Sequence, residues 1–110
     1  SPIKPELTIG GGIQGRETGF GENIIGYIPE PKTKDLEGFP GLIKDKRKTP
    51  IQGGGGLRKR WKDKKGNIYE WDYRHGGLEK YDKQGWHLGQ FDHITGKQTK
   101  PADKTRRIQK

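Results

Sequence analysis

Residues 57–91 read LRKRWKDKKGNIYEWDYRHGGLEKYDKQGWHLGQF. The runs LRKRWK, NIYEWDY, LEKY and WHLGQF carry aromatic or branched residues at alternating positions, and DKKG, HGG and DKQG between them supply the glycines that hairpin turns require. The pattern predicts a mainly β fold, a small antiparallel meander. Strand side chains alternate, so Ile68, Glu70 and Asp72 share one face of NIYEWDY while Tyr69, Trp71 and Tyr73 share the other. One face reads as core and the other as a site. All 3 Trp and three of the 4 Tyr fall between Trp61 and Trp86, and Trp61, Trp71 and Trp86 are assigned to the core.

Outside this stretch the chain reads differently. Residues 1–25 are glycine-rich with no sustained hydrophobic period and read as a linker or flexible N-terminal arm. Residues 26–56 are broken by Pro29, Pro31, Pro40 and Pro50 and close on the glycines at 53–56; they read as irregular extended chain in which KDLEGF forms at most one short helical turn. The four glycines lack the Lys-Ser or Lys-Thr of a phosphate loop and read as a flexible joint before the first strand. After a turn at residues 95–97 the chain runs into a basic tail in which only Ile108 is an apolar anchor.

Composition narrows the function. Leu, Ile and Phe number 20 and Val is absent, so a chain of 110 residues buries one modest core. Cysteine is absent, which excludes disulfides and thiolate metal sites. The single serine, Ser1, excludes a serine triad, and His75, His87 and His93 are not spaced as zinc ligands. There is no apolar run of membrane-spanning length and no signal-peptide pattern. The start at Ser1, without Met, suits an excised C-terminal domain.

The net charge of +9 is unevenly spread. Residues 44–65 carry a net +8 and residues 97–110 a net +5, whereas residues 1–43 and 66–96 each carry −2. Two basic blocks flank an acidic aromatic segment, which fits a polyanion-binding surface around a site that needs carboxylates. A solvated lysine face with a free tail is the alternative.

Within EWDYRHGGLEKY, residues 70–81, Asp72, His75 and Glu79 surround the glycine pair. A two-residue turn on His75 and Gly76 puts Asp72 opposite Glu79, a like-charge pairing that stability does not favour. A turn on Gly76 and Gly77 instead sets Arg74 against Glu79 and leaves a plain charged hairpin. Two carboxylates beside a histidine form an acid and base usable near neutrality, because a carboxylate next to a like charge and a histidine next to a carboxylate both titrate higher. That set suits RNA cleavage by the ribose 2′-hydroxyl, with Lys and Arg stabilising the phosphate charge.

The ordered series of a glycine run, KRW, IYEWD, HG, LE, HLG, FD and TG, with YIPEPKTKDLEG upstream and TRRI downstream, resembles the cytotoxic domain of the E-type ribonuclease colicins over roughly residues 26–109. The resemblance implies a small, highly twisted antiparallel sheet, with residues 26–110 as the cytotoxic ribonuclease domain. It implies an endoribonuclease that needs no cofactor or metal and cuts small-subunit ribosomal RNA at the decoding centre. It also implies delivery into a target bacterium's cytoplasm as part of a larger toxin, without stable membrane insertion by this domain, and neutralisation by an acidic immunity protein. Contact-dependent inhibition proteins and related bacteriocins carry similar toxins. By motif, Asp72, His75, Glu79 and Arg106 match catalytic residues, with Glu79 as base, His75 as acid and Asp72 orienting His75. Tyr27, Arg58, Lys59, Arg60, Tyr73 and Arg107 are the expected substrate-binding residues, the tyrosines by stacking on an unpaired base. Gly77 stands where the family has an acidic residue, and the segment between Trp61 and Trp71 is one residue shorter. The competing readings are a non-catalytic basic RNA-binding module and a metal-dependent DNase toxin.

Overall fold

A computed structural model describes residues 27–110, so the linker assigned to residues 1–25 lies outside the described residues. The chain forms one six-stranded antiparallel sheet whose spatial order is its chain order: β1 (Ile43–Asp45), β2 (Arg60–Lys62), β3 (Ile68–Asp72), β4 (Gly77–Tyr81), β5 (His87–Phe91) and β6 (Gln98–Lys100). The meander of β2 to β5 follows the alternating pattern, and the short helical turn is a 3-10 turn at Thr33–Asp35. The two edge strands, IKD and QTK, add to what the sequence suggested. Among the described residues no helix is long and apolar enough to cross a membrane.

Each sheet face has its own cover. Trp61, Tyr69, Trp71, Tyr73 and Leu78 form the apolar side, buried beneath Leu36 and Leu42 of the irregular N-terminal segment, with Phe39 and Ile51 against them. The indole N–H groups find acceptors in that cover: Trp61 Nε1 donates to Thr33 Oγ1 at 3.0 Å and Trp71 Nε1 to the Ile28 carbonyl at 2.9 Å. Buried aromatics need such partners for their polar ends, and here the bonds fix the segment to the sheet. The segment before β1 is therefore the second layer of the fold.

The opposite face is polar yet buried, carrying Arg60, Glu70, Asp72, Glu79, His87 and Gln90. Arg60 Nη2 meets Glu70 Oε2 at 2.7 Å with both side chains fully buried. Thr49 Oγ1 donates to the same Glu70 oxygen at 2.6 Å, and Arg60 Nη2 also donates to the Gln109 carbonyl at 2.7 Å. The loop before β2 and the C-terminal tail thus roof this face from two sides. Removing one partner of such a buried pair costs about 3–5 kcal/mol, so Arg60 and Glu70 hold the roof down.

Three sequence expectations are corrected. The β3–β4 hairpin turns on four residues, 73–76, and pairs Asp72 with Gly77, Trp71 with Leu78 and Glu70 with Glu79. The cause is Asp72, whose Oδ1 accepts the backbone N–H of Arg74 at 2.9 Å and of His75 at 3.2 Å, an Asx turn that widens the loop. Like charges still meet across the ladder, at Glu70 and Glu79, and Arg60 offsets one of them. Trp86 is 42% exposed rather than core, because it precedes β5 beyond the area that the N-terminal segment covers. The tail is anchored well beyond Ile108: Ile108 N donates to the Gly85 carbonyl at 2.9 Å, and Trp86 and Arg107 form an antiparallel bridge.

Candidate active site

The strand register, the hairpin and the tail converge on one cleft of about 660 Å³ over the polar face, and Asp72, His75, Glu79, Arg106, Arg58 and His87 all line it. Asp72 ends β3, His75 sits in the turn, Glu79 is the centre of β4 and Arg106 comes from the tail. Arg74, Lys100 and Arg107 add further cations to the walls.

His75 Nδ1 lies 2.8 Å from Asp72 Oδ2, with half of the histidine side chain exposed and the aspartate nearly buried. An ionised carboxylate only accepts, so Nδ1 carries the proton and Nε2 is the atom presented to the cleft. Burial alone would raise the Asp72 pKa; hydrogen bonds from His75 and from the Arg74 and His75 backbone outweigh it and hold this carboxyl below its ordinary value. Gln90 Nε2 adds a fourth donor to Asp72 at 3.0 Å. The amide of Gln90 occupies the space over Gly77, where a Cβ would come within 3.0 Å of it.

Glu79 is held at both oxygens. His87 Nε2 lies 2.8 Å from Oε1, and Arg106 Nη1 lies 3.3 Å from Oε2. His87 Nδ1 accepts the backbone N–H of Asp103 at 2.8 Å, so the hydrogen of this imidazole is on Nε2 and points at Glu79. Arg106 lies over the Tyr81 ring at 5.6 Å; burial lowers its pKa, but the charge of neighbouring groups including Glu79 outweighs that and the guanidinium titrates above its usual value.

His87 was not among the expected site residues, and its place depends on a β-bulge. Leu78, Glu79 and Lys80 pair in regular register with Phe91, Gln90 and Gly89, but Tyr81 then pairs with His87 rather than with Leu88. One extra residue reverses the alternation and turns His87 onto the site face. The signal was Gly89, an isolated glycine inside a strand, with φ +137° in the structure. Gln90, on the same strand, has no signal of its own beyond alternation.

Four expected substrate-binding residues do not line this cleft, although Tyr73 lines a small hollow beside it with Arg58, Asp72 and Arg74. Arg60 is fully buried in its ion pair, which corrects its reading as a substrate contact. Lys59 Nζ donates to the Pro31 carbonyl at 3.0 Å and lies over the Trp61 ring, on the apolar side. The Tyr73 ring is buried and its hydroxyl donates to Glu30 Oε1 at 2.5 Å; burial and that carboxylate raise its pKa to about 12. Tyr27 stacks on Tyr73 at 5.5 Å and is 44% exposed. Among the described residues, no three His, Asp or Glu side chains are grouped to hold a metal ion.

A family model described as Cytotoxic matches residues 28–109. Among curated proteins, the chain is 56% identical over 86 residues to cloacin of Escherichia coli, covering 76% of this chain and 15% of the relative. It is 52% identical over 86 residues to colicin-E6, covering 76% and 16%, and 49% identical over 94 residues to colicin E3, covering 84% and 17%, both also of Escherichia coli. The chain therefore spans only about a sixth of the length of these relatives.

Proposed function

The chain belongs to the Cytotoxic family, and on that premise we propose that it is a bacterial toxin domain acting as a metal-independent endoribonuclease on small-subunit ribosomal RNA at the decoding centre. The observation that carries this reading is the meeting in one cation-walled cleft of an Asp72–His75 pair and a Glu79 held by His87 and Arg106. The set separates a proton acceptor from a proton donor. Glu79 takes the proton of a ribose 2′-hydroxyl, and that oxygen attacks the adjacent phosphorus. The bond to the 5′-oxygen breaks as His75 Nε2 delivers a proton to it, leaving a 2′,3′-cyclic phosphate and a 5′-hydroxyl. Asp72 fixes the His75 ring and stabilises the imidazolium form.

Charge developing on the phosphate needs donors that are already in place. Arg106 makes its Glu79 contact at a long 3.3 Å and keeps a third of its side chain exposed, so it can turn to a phosphate oxygen. Arg58 Nε and Nη1 are shielded from water and have no partner among the described residues, a costly state that an anion in the cleft relieves. The carrier is a longer toxin that delivers the domain to the cytoplasm of a target bacterium, and an acidic immunity protein is the partner that suits a net charge of +9.

The test is to incubate ribosomes with the protein in EDTA and separate the RNA on a gel. One discrete 3′ fragment of the small-subunit RNA is expected, and His75→Ala and Glu79→Ala should each abolish it while RNA binding persists. Intact RNA at saturating protein would leave only a non-catalytic RNA-binding module, and cutting that EDTA stops would point to a metal-dependent nuclease.

A further inference from the structure

Trp86 is the one of the three tryptophans that the fold leaves open. Trp61 and Trp71 are 0% and 1% exposed, whereas Trp86 is 42% exposed. Leaving so large an apolar ring in water has a cost that the fold does nothing to avoid, and several contacts fix the backbone that carries it. Asp82 Oδ1 accepts the backbone N–H of Trp86 at 3.0 Å and of Gln84 at 2.9 Å, locking the turn before it. The tail runs alongside in an antiparallel bridge from Arg107 to Trp86. Gly85 lets the tail approach, since a Cβ there would strike the Ile108 carbonyl oxygen.

Arg107 joins this ring to the cleft. Its guanidinium lies over the Trp86 ring at 5.0 Å, its Nε donates to the Gln84 carbonyl at 3.1 Å, and it also lines the catalytic cleft. On the tail, Arg106 reaches Glu79 while its neighbour Arg107 reaches Trp86, so two adjacent residues connect the reacting groups to the exposed ring. Lys110 lies close by, donating to Gln84 Oε1 at 3.2 Å. An exposed indole with a guanidinium over one face, joined through that arginine to a polyanion site, is the composition of a stacking platform for single-stranded nucleic acid.

We propose that Trp86, backed by Arg107, stacks an unpaired base of the RNA strand just outside the cleft. The inference rests on the proposed ribonuclease function for the identity of the strand, and it adds a contact outside the cleft residues already described. Arg107 then serves two contacts, a phosphate on the cleft side and the ring it supports on the other. A base on the open surface of the indole would hold the strand against sliding while its neighbour is cut.

The test uses the intact protein and a 2′-O-methylated oligoribonucleotide, which cannot be cut by 2′-hydroxyl attack. With the other two indoles buried, iodide-accessible tryptophan emission reports Trp86. Titration with the oligonucleotide should quench that emission and protect it from iodide, whereas inorganic polyphosphate, which has charge and no bases, should bind without doing either. Trp86→Ala should weaken oligonucleotide affinity by about 5- to 100-fold, the range of one base stacked on an aromatic side chain, and Trp86→Phe should recover most of it. Near-UV circular dichroism checks that both variants are folded. Equal quenching by polyphosphate, an unchanged affinity in Trp86→Ala, or burial of Trp86 by self-association without RNA would each overturn the platform. The parent protein's cleavage of ribosomes is read separately: quenching without cleavage refutes the ribonuclease and leaves the platform, and cleavage without quenching refutes the platform alone.

Discussion

Glu79 has two partners of different kinds. Arg106 is a cation at 3.3 Å with a third of its side chain exposed, free to move to substrate, while His87 is a buried neutral donor at 2.8 Å, fixed from behind by the Asp103 backbone N–H. In the proposed mechanism His87 would therefore position the base without competing for its proton. His87→Ala should lower kcat by about 10- to 100-fold, the cost of one hydrogen bond to a charged group, with a smaller change in KM, and His87→Gln should recover part of it; equal loss in both variants, or a loss only in KM, would contradict the role. Asp72 supplies a second prediction. Its folded-state pKa is held down, so the stability it contributes is complete above the ordinary carboxylate value of about 3.9 and is lost as pH falls through the lower folded value. Urea midpoints measured against pH should fall in acid for the parent and fall less for Asp72→Asn; parallel curves would contradict the assignment. Asp72 and His75 were legible in the sequence because the pair is local, three residues apart in one turn. His87 was not, because its partner lies eight residues away across a bulge and alternation alone sends it to the wrong face.

At the scale of the elements, β2 to β5 were legible because each alternates around an aromatic and ends at a glycine turn. The edge strands IKD and QTK carry almost no pattern of their own and are held by the backbone of a neighbour, which a sequence does not display. The hairpin register was misread for a related reason. Moving the pairing by two residues leaves every side chain on the same face, so the hydrophobic pattern could not choose among the alternatives; the Asx turn of Asp72 does. The tail brings Arg106 to Glu79 and gives the Gln109 carbonyl to buried Arg60, so the proposed mechanism depends on its placement. Gly85→Ala should lift it, because φ is +93° there and a methyl group meets the Ile108 carbonyl oxygen. The variant should lose about 1–3 kcal/mol of stability and at least tenfold in cleavage, with amide hydrogen exchange faster at Ile108 than in β3. Unchanged exchange at Ile108 would refute this role of Gly85 in seating the tail.

At the scale of the molecule, the sheet divides the labour between its faces. The aromatic face, closed by the N-terminal segment, provides the stability that a chain with few aliphatic residues can muster, and the polar face is left to carry carboxylates, two histidines and the cations that balance them. The two basic blocks seen in the sequence supply the cleft walls from either side of the acidic segment, Arg58 from the block before it and Lys100, Arg106 and Arg107 from the block after it. On the proposed function that arrangement would draw RNA to the acid and base rather than to the aromatic face, and binding should weaken as salt rises. In the proposed mechanism Glu79 and His75 move protons for an attack by the substrate's own 2′-hydroxyl. Its most direct test is the chemistry of the cut ends of ribosomal RNA. The mechanism predicts a 2′,3′-cyclic phosphate on one fragment and a 5′-hydroxyl on the other, both absent with Glu79→Ala; a 3′-hydroxyl and a 5′-phosphate would mean that water, not the ribose, attacks, and would contradict it.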